Sequence, residues 1–285
     1  MTEHGLALHG IGVRFGGLTA LHDVSLRVPA DRVVGVIGPN GAGKTTLFNV
    51  VCGLVQPSTG SLTLDGQPLR PRPHRLTRLG IARTLQGVGL FAGLTVLENV
   101  MAGATNSARA GFVAALFGLP RSDRDEHRLR EHALTILDQL GVADRAGAAP
   151  GTLPFAVRKR VALARALAAR PRLLLLDEPA GGLGAEDIDE LGTLIRDLPR
   201  RTEHPCAVLL VEHHMDLVMA VCDQIVVLDF GRVIAAGPPE AIRDDPAVTD
   251  AYLGTDITET GTAQAEPGTV ATGSTTARAG RGVVA

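Results

Sequence analysis

Long apolar runs are missing from this sequence. LLLL at 173–176, CAVLLV at 206–211 and IVVL at 225–228 fall well short of the roughly 20 residues that cross a bilayer. The opening MTEHGLALHGIG has no basic segment followed by an apolar core, so the chain is expected to be neither exported nor membrane-spanning. Cysteine is scarce. Cys52, Cys206 and Cys222 form no CxxC pair and no metal spacing, which argues against zinc and a disulfide framework and fits a reducing compartment. Neither sign of charge dominates: 28 basic residues face 30 acidic ones for a net charge of −2, so bulk charge offers no grip on nucleic acid or an anionic membrane. Lysine is nearly absent, since Lys44 and Lys159 are the only two among those 28 and the rest are arginine. We read the bias as genomic, but it makes each lysine worth attention.

What remains is ordinary globular composition: 285 residues, 45% hydrophobic and 20% charged, enough for two domains or one α/β unit with an attached lobe. Residues 5–30 alternate as short antiparallel strands with turns. VVGVI, residues 33–37, is a β-branched run suited to a strand buried on both faces, with a helix expected from about Thr45 to Leu54. QPSTGSLTLDGQPL reads as a hairpin returning to the antiparallel piece. The stretch from about 92 to 170 is helical in period. LLLLDE, AVLLVEH and QIVVLDFGRVIAAG then restore strands alternating with helices, so a mostly parallel sheet is interrupted by an inserted helical lobe. From about Thr255 the composition shifts to Thr, Ala, Gly and Ser, the signature of a disordered low-complexity tail over 255–285.

Between VVGVI and its helix stands GPNGAGKT, the pattern G-x-x-x-x-G-K-[ST] in the strand–loop–helix context it requires. Gly38, Pro39, Asn40, Gly41, Ala42 and Gly43 would wrap a phosphate chain with backbone N–H groups, at a helix N-terminus that favours anions. Lys44 would reach the β- and γ-phosphates, Thr45 would hold Mg²⁺, and Thr46 completes the loop. A compact ammonium stands here in a chain that otherwise uses arginine. LLLLDEP ends an apolar strand in two carboxylates: Asp177 suits Mg²⁺ or its water, and Glu178 suits a general base that orients water. Gln86 in RTLQGVGLF and His213 in VEHH are candidates for the γ-phosphate. Taken singly, either is more often structural than catalytic.

The series of phosphate loop, Gln86, helical lobe, Asp177 with Glu178, and His213 resembles the nucleotide-binding subunit of an ABC transporter, over about residues 5–254. The resemblance implies a P-loop NTPase core of ABC type in a domain spanning 1–254. It implies ATP and Mg²⁺ as cofactors, with Phe15 stacking on adenine and Gln86 touching Mg²⁺ beside the docking place of a membrane subunit. It implies that His213 contacts the γ-phosphate. FGGLTAL, the insertion GATNSARAGFVAALFGLPRSDRDEHRLREHA, VEHHMDLVMAVCDQIVVLDFGRVIAAGPPEAI and DPAVTDAYLG are similar to the subtype serving branched-chain (hydrophobic) amino acid uptake. The implied partners are a second ATP-binding subunit, two transmembrane permease subunits and, indirectly, an external solute-binding protein, on the cytoplasmic face of the membrane; nucleic acid is not expected.

The chain departs from the family where a signature loop, usually L-S-G/Y-G-Q, should face the partner's nucleotide. Here it reads Leu153, Pro154, Phe155, Ala156, Val157. Pro154 has neither hydroxyl nor N–H for a γ-phosphate oxygen. Ala156 places a methyl where glycine lets backbone approach, and Val157 removes an amide. Arg158 either supplies a compensating cation or is a solvated or partner-facing side chain. Gly184 stands where Asp or Asn is usual, and His214 is read as an exposed neighbour of His213. These losses fall on the surface donated to the partner, which suggests an asymmetric heterodimer. The rivals are a cassette that holds ATP without turnover and a soluble ABC ATPase of DNA repair or translation; a GTPase is disfavoured because NKxD is absent.

Overall fold

The structure, a computed structural model, describes residues 4–84, 88–104 and 120–252. Gln86, residues 105–119 of the predicted lobe and the predicted tail from 255 lie outside the described residues.

Two long strands, β1 (Gly5–Phe15) and β2 (Leu18–Pro29), open the fold as an antiparallel pair where several short ones are predicted. Register shifts between Leu8 and Arg14 absorb the irregular alternation, so the pairing continues through it. The next strand, β3 (Val33–Ile37), is buried at every position and leads through the glycine-rich loop into α1 (Lys44–Val51). This helix stops before the predicted Leu54. Gly53 takes φ of +70°, and the amides of Gly53 and Leu54 fold back onto the carbonyls of Val50 and Asn49. The expected hairpin follows as β4 (Thr59–Leu64) and β5 (Gln67–Leu69), with Asp65 and Gly66 at φ of +52° and +73° in the turn. Because β4 pairs with β1, the antiparallel sheet has the order β2-β1-β4-β5.

A three-residue strand, β6 (Ile81–Arg83), precedes the helices α2 (Val96–Gly103), α3 (Pro120–Gln139) and α4 (Phe155–Ala168). The chain then runs through β7 (Leu173–Asp177), α5 (Ala185–Asp197), β8 (Ala207–Val211), α6 (Met215–Val221), β9 (Gln224–Asp229), β10 (Arg232–Gly237) and α7 (Pro239–Arg243). These strands and β3 form a second sheet in the order β10-β9-β3-β8-β7-β6, parallel except for β10. In QIVVLDFGRVIAAG the helix alternation ends, because Phe230 and Gly231 turn β9 back into a hairpin.

Both faces of the parallel sheet are covered. Leu174, Leu176, Val208 and Leu210 point into one apolar cluster with α2 to α6, whereas Leu173, Leu175, Leu209 and Val211 point into another with α1 and the antiparallel sheet. That two-sided burial is why these strands read as continuous apolar runs. Helix α3 contributes Ala133, Ile136 and Leu137 to the first cluster, with Leu140 just beyond its end, the i, i+3, i+4, i+7 stripe of an amphipathic helix. Helices α2 and α4 approach so closely that a Cβ on Gly103 would lie 2.0 Å from the Arg165 carbonyl oxygen.

Candidate functional site

The loop after β3 is built by glycine. Gly38, Gly41 and Gly43 have φ of +147°, +81° and +102°, conformations that let successive N–H groups face one concavity. Gly38 is constrained further: a Cβ there would lie 2.0 Å from the Leu228 carbonyl oxygen. The loop is closed by Ala42 N–H donating to the Pro39 carbonyl and by Gly231 N–H donating to Ala42. Lys44 is buried inside this curl, its Nζ donating to the carbonyls of Gly38 at 2.6 Å and Pro39 at 2.9 Å. Burial pushes the Lys44 ammonium below the usual lysine value, and the charge of Glu178 opposes that shift. Pro39 is buried, while Asn40 and Thr45 are exposed and Thr46 is half-buried. Helix α1 starts at Gly43 with no side-chain cap, which leaves its first-turn amides open to a ligand.

Strand β7 delivers Asp177 at its end and Glu178 immediately after it. Burial and then the neighbouring Glu178 push the Asp177 carboxyl above its usual value, with Arg83 pulling the other way. Glu178 sits in the left-handed region at φ of +45°, its N–H donating to the Val211 carbonyl at 2.9 Å. Adjacent β8 delivers His213, whose Nδ1 lies 3.7 Å from Glu178 Oε1. Both side chains remain open to solvent, at 53% and 37% exposure. The loops after β3, β7 and β8 thus meet at the carboxyl edge of the parallel strands, where such sheets hold ligands.

Phe15 is 51% exposed at the tip of the β1–β2 hairpin, so it is no core phenylalanine. His214 is half-buried, not exposed as predicted, because it begins α6 and packs against the His213 ring at 4.7 Å between centroids. Pro154 and Phe155 lie exposed at the start of α4. Arg158 turns back over the Phe155 ring, 5.4 Å from its centroid, instead of projecting as a free cation. Two residues escaped the sequence-based reading. Glu212 is fully buried: Oε1 accepts from Ala180 N–H at 2.7 Å, and Oε2 accepts from the N–H groups of His213 at 2.9 Å and His214 at 3.2 Å. Glu212, His213 and His214 offer metal-ligand atoms within 4.8 Å of one another, but the amides already occupy both Glu212 oxygens. Lys159 donates to the Pro179 carbonyl at 2.7 Å and the Glu178 carbonyl at 3.3 Å. The rarity of lysine was the available signal for Lys159, and a carboxylate ending a second apolar strand was the signal for Glu212.

Known proteins share this arrangement. The family described as ABC transporter matches residues 21–181, and a second family, described as branched-chain amino acid ATP-binding cassette transporter, matches residues 232–258. The high-affinity branched-chain amino acid transport ATP-binding protein BraF of Pseudomonas aeruginosa is 43% identical over 250 residues, covering 87% of this chain and 97% of the relative. LivG of Escherichia coli, described in the same terms, is 38% identical over 255 residues, covering 89% and 99%. Among solved structures, a nucleotide-free ATP-binding cassette from an ABC transporter superposes with a TM-score of 0.74 at 28% identity, covering 87% of this chain and 98% of that one. An ABC transporter cassette in its ADP conformation matches equally, with a TM-score of 0.74 at 28% identity, covering 89% and 100%. Motif order, fold and these similarities agree: the chain belongs to the ABC transporter ATP-binding family and resembles its branched-chain amino acid subtype.

Proposed function

We propose that this chain binds and hydrolyses ATP to energise import of amino acids, of the branched-chain class, through a membrane ABC transporter. The supporting observation is the convergence of the Lys44 loop with Glu178 and His213, the latter two 3.7 Å apart. In this reading the amides from Gly38 to Thr46 bind the phosphate chain and Lys44 exchanges its two carbonyl partners for phosphate oxygens. Phe15, exposed at the tip of the β1–β2 hairpin, stacks on adenine.

The residues fit a magnesium ion. Asp177 is a carboxyl whose charge burial disfavours, and a divalent cation there would offset that cost. Thr45 and Asp177 would hold the ion, with Gln86 as a third contact, and Mg²⁺ would supply charge neutralisation on the phosphates. Glu178 accepts a proton from the attacking water and orients it, and His213 donates to the γ-phosphate.

No helix among the described residues is long and apolar enough to cross a membrane. We assign two permease subunits, a second ATP-binding subunit and an external solute-binding protein, with this chain on the cytoplasmic face. The permease contact falls at an open groove of about 420 Å³ between β6 and the helical lobe. Phe91 is exposed on that groove with the Arg165 guanidinium 5.5 Å from its ring centroid.

The assignment is tested by Glu178→Gln, which is expected to retain ATP binding while lowering turnover by at least about 10²-fold, and by Lys44→Ala, which is expected to weaken binding itself. Wild-type turnover in the Glu178 variant would remove Glu178 as the base, and absence of turnover in the wild-type assembly itself would favour a cassette that holds ATP without hydrolysis.

A further inference from the structure

Lys159 and Glu212, from two different elements, hold one short segment. The segment is the peptide that carries Glu178 and continues through Pro179 to Ala180. From α4, the Lys159 ammonium holds its carbonyls, Pro179 O at 2.7 Å and Glu178 O at 3.3 Å. From the end of β8, the buried Glu212 carboxylate holds the Ala180 amide at 2.7 Å. The cation takes acceptors and the anion takes donors, so each charge meets the backbone dipole that suits it.

Glu178 needs such a grip. Its φ of +45° is a conformation that a residue other than glycine keeps only where its surroundings impose it. Glu212 also receives the His213 amide at 2.9 Å, so one carboxylate holds the backbone at His213 and at Ala180, two residues beyond Glu178. Burial pushes the Lys159 ammonium down, while Glu212 and Glu178 oppose that shift and favour the charged form that donates.

We propose that Lys159 and Glu212 form a two-point clamp that positions the Glu178 carboxylate for the attacking water, which makes them positioning residues for the hydrolytic step. Neither touches nucleotide in this scheme. Both act through the peptide that carries the base, and the proposal rests on the reading of Glu178 as that base.

The test uses the full-length chain assembled with its partner subunits in lipid, comparing wild type, Lys159→Met, Glu212→Gln and Glu178→Gln. The readouts are kcat and KM for MgATP, equilibrium ATP affinity and melting temperature. Lys159→Met keeps the aliphatic stem and loses every donor. Glu212→Gln turns an NH₂ group toward at least one N–H that must be accepted. Each is expected to lower kcat at least about tenfold, the scale of a hydrogen bond to a charged group, with KM and ATP affinity within about twofold of wild type. Unchanged kcat in both variants, while Glu178→Gln loses turnover, overturns the clamp. So does a loss of ATP affinity that parallels the loss of kcat, which would mark a purely structural role. Should Lys159→Met fail to assemble, Glu212→Gln decides by the same criteria. Wild-type turnover in Glu178→Gln overturns the assignment of the base instead.

Discussion

Asp177 illustrates how a site residue is tuned by placement. Burial and the adjacent Glu178 raise its carboxyl above the ordinary value of 3.8, so folding favours the protonated form. A group raised on folding contributes stability that is present below its unfolded value and lost as pH rises through its folded value. The nucleotide-free wild type is therefore expected to lose stability above pH 3.8 that Asp177→Asn keeps. The melting-temperature advantage of the variant should widen as pH rises from 3.8 through the raised folded-state value. An advantage that shrinks as pH rises would contradict the assigned environment. The variant should also lose its response to Mg²⁺ during nucleotide binding.

Elements differ in how they end, and the endings follow their tasks. Helix α1 begins at Gly43 without a side-chain cap, whereas α2 begins with a complete capping box between Thr95 and Glu98. Open amides suit a helix that faces phosphate; satisfied ones suit a helix that only supports. Asn99 reinforces the α2 entry from inside. Fully buried, it accepts from Phe91 N–H at 2.8 Å, and its Nδ2 donates toward the carbonyls of Phe91, Leu94 and Thr95. Asn99→Leu would take these partners from the Phe91 N–H and the Leu94 carbonyl, while the carbonyls of Phe91 and Thr95 keep their bonds from Leu94 N–H and Asn99 N–H, and is expected to cost at least about 2 kcal/mol in urea unfolding, more than the approximately 1 kcal/mol of Thr95→Ala at the exposed cap. Equal costs for the two would place the stabilisation in the cap instead of the latch.

For the whole molecule, the proposed pairing with a second cassette makes the loop at the start of α4 decisive. Pro154 and Phe155 are exposed there, and Arg158 is folded onto the Phe155 ring, so the charge that stood to compensate the altered loop is engaged within its own helix. In a homodimer both phosphate loops would face this loop. The lone chain is thus expected to bind ATP and hydrolyse it slowly. Pro154→Ser combined with Ala156→Gly should raise its turnover at least about tenfold by restoring one hydroxyl bond to phosphate and a closer backbone approach. With an intact partner signature the same pair should matter little, because in the proposed asymmetric dimer the competent site would use the partner's loop. Steady-state ATPase of wild type and variant, each alone and with the partner, checks both halves, and full activity of the lone wild type would remove the case for asymmetry.

Much of this protein was legible locally. Gly38 to Thr45 announced a phosphate loop because its φ > 0 positions demand glycine, and Asp177 with Glu178 announced a strand's carboxyl end because four leucines precede them. Two-sided burial made β3, β7 and β8 visible as unbroken apolar runs. By contrast, β6 spans only Ile81–Arg83, too short to carry a period, and its strand character comes from its parallel partner β7. Sheet order decided the rest. With β8 seated between β3 and β7, His213 comes to Glu178, and Glu212 comes to the amide of Ala180. Lys159 reaches the Pro179 carbonyl because α4 packs beside that loop. These contacts join residues far apart in the chain, and such pairings are set by packing and directional hydrogen bonds that exist only once the sheet has formed.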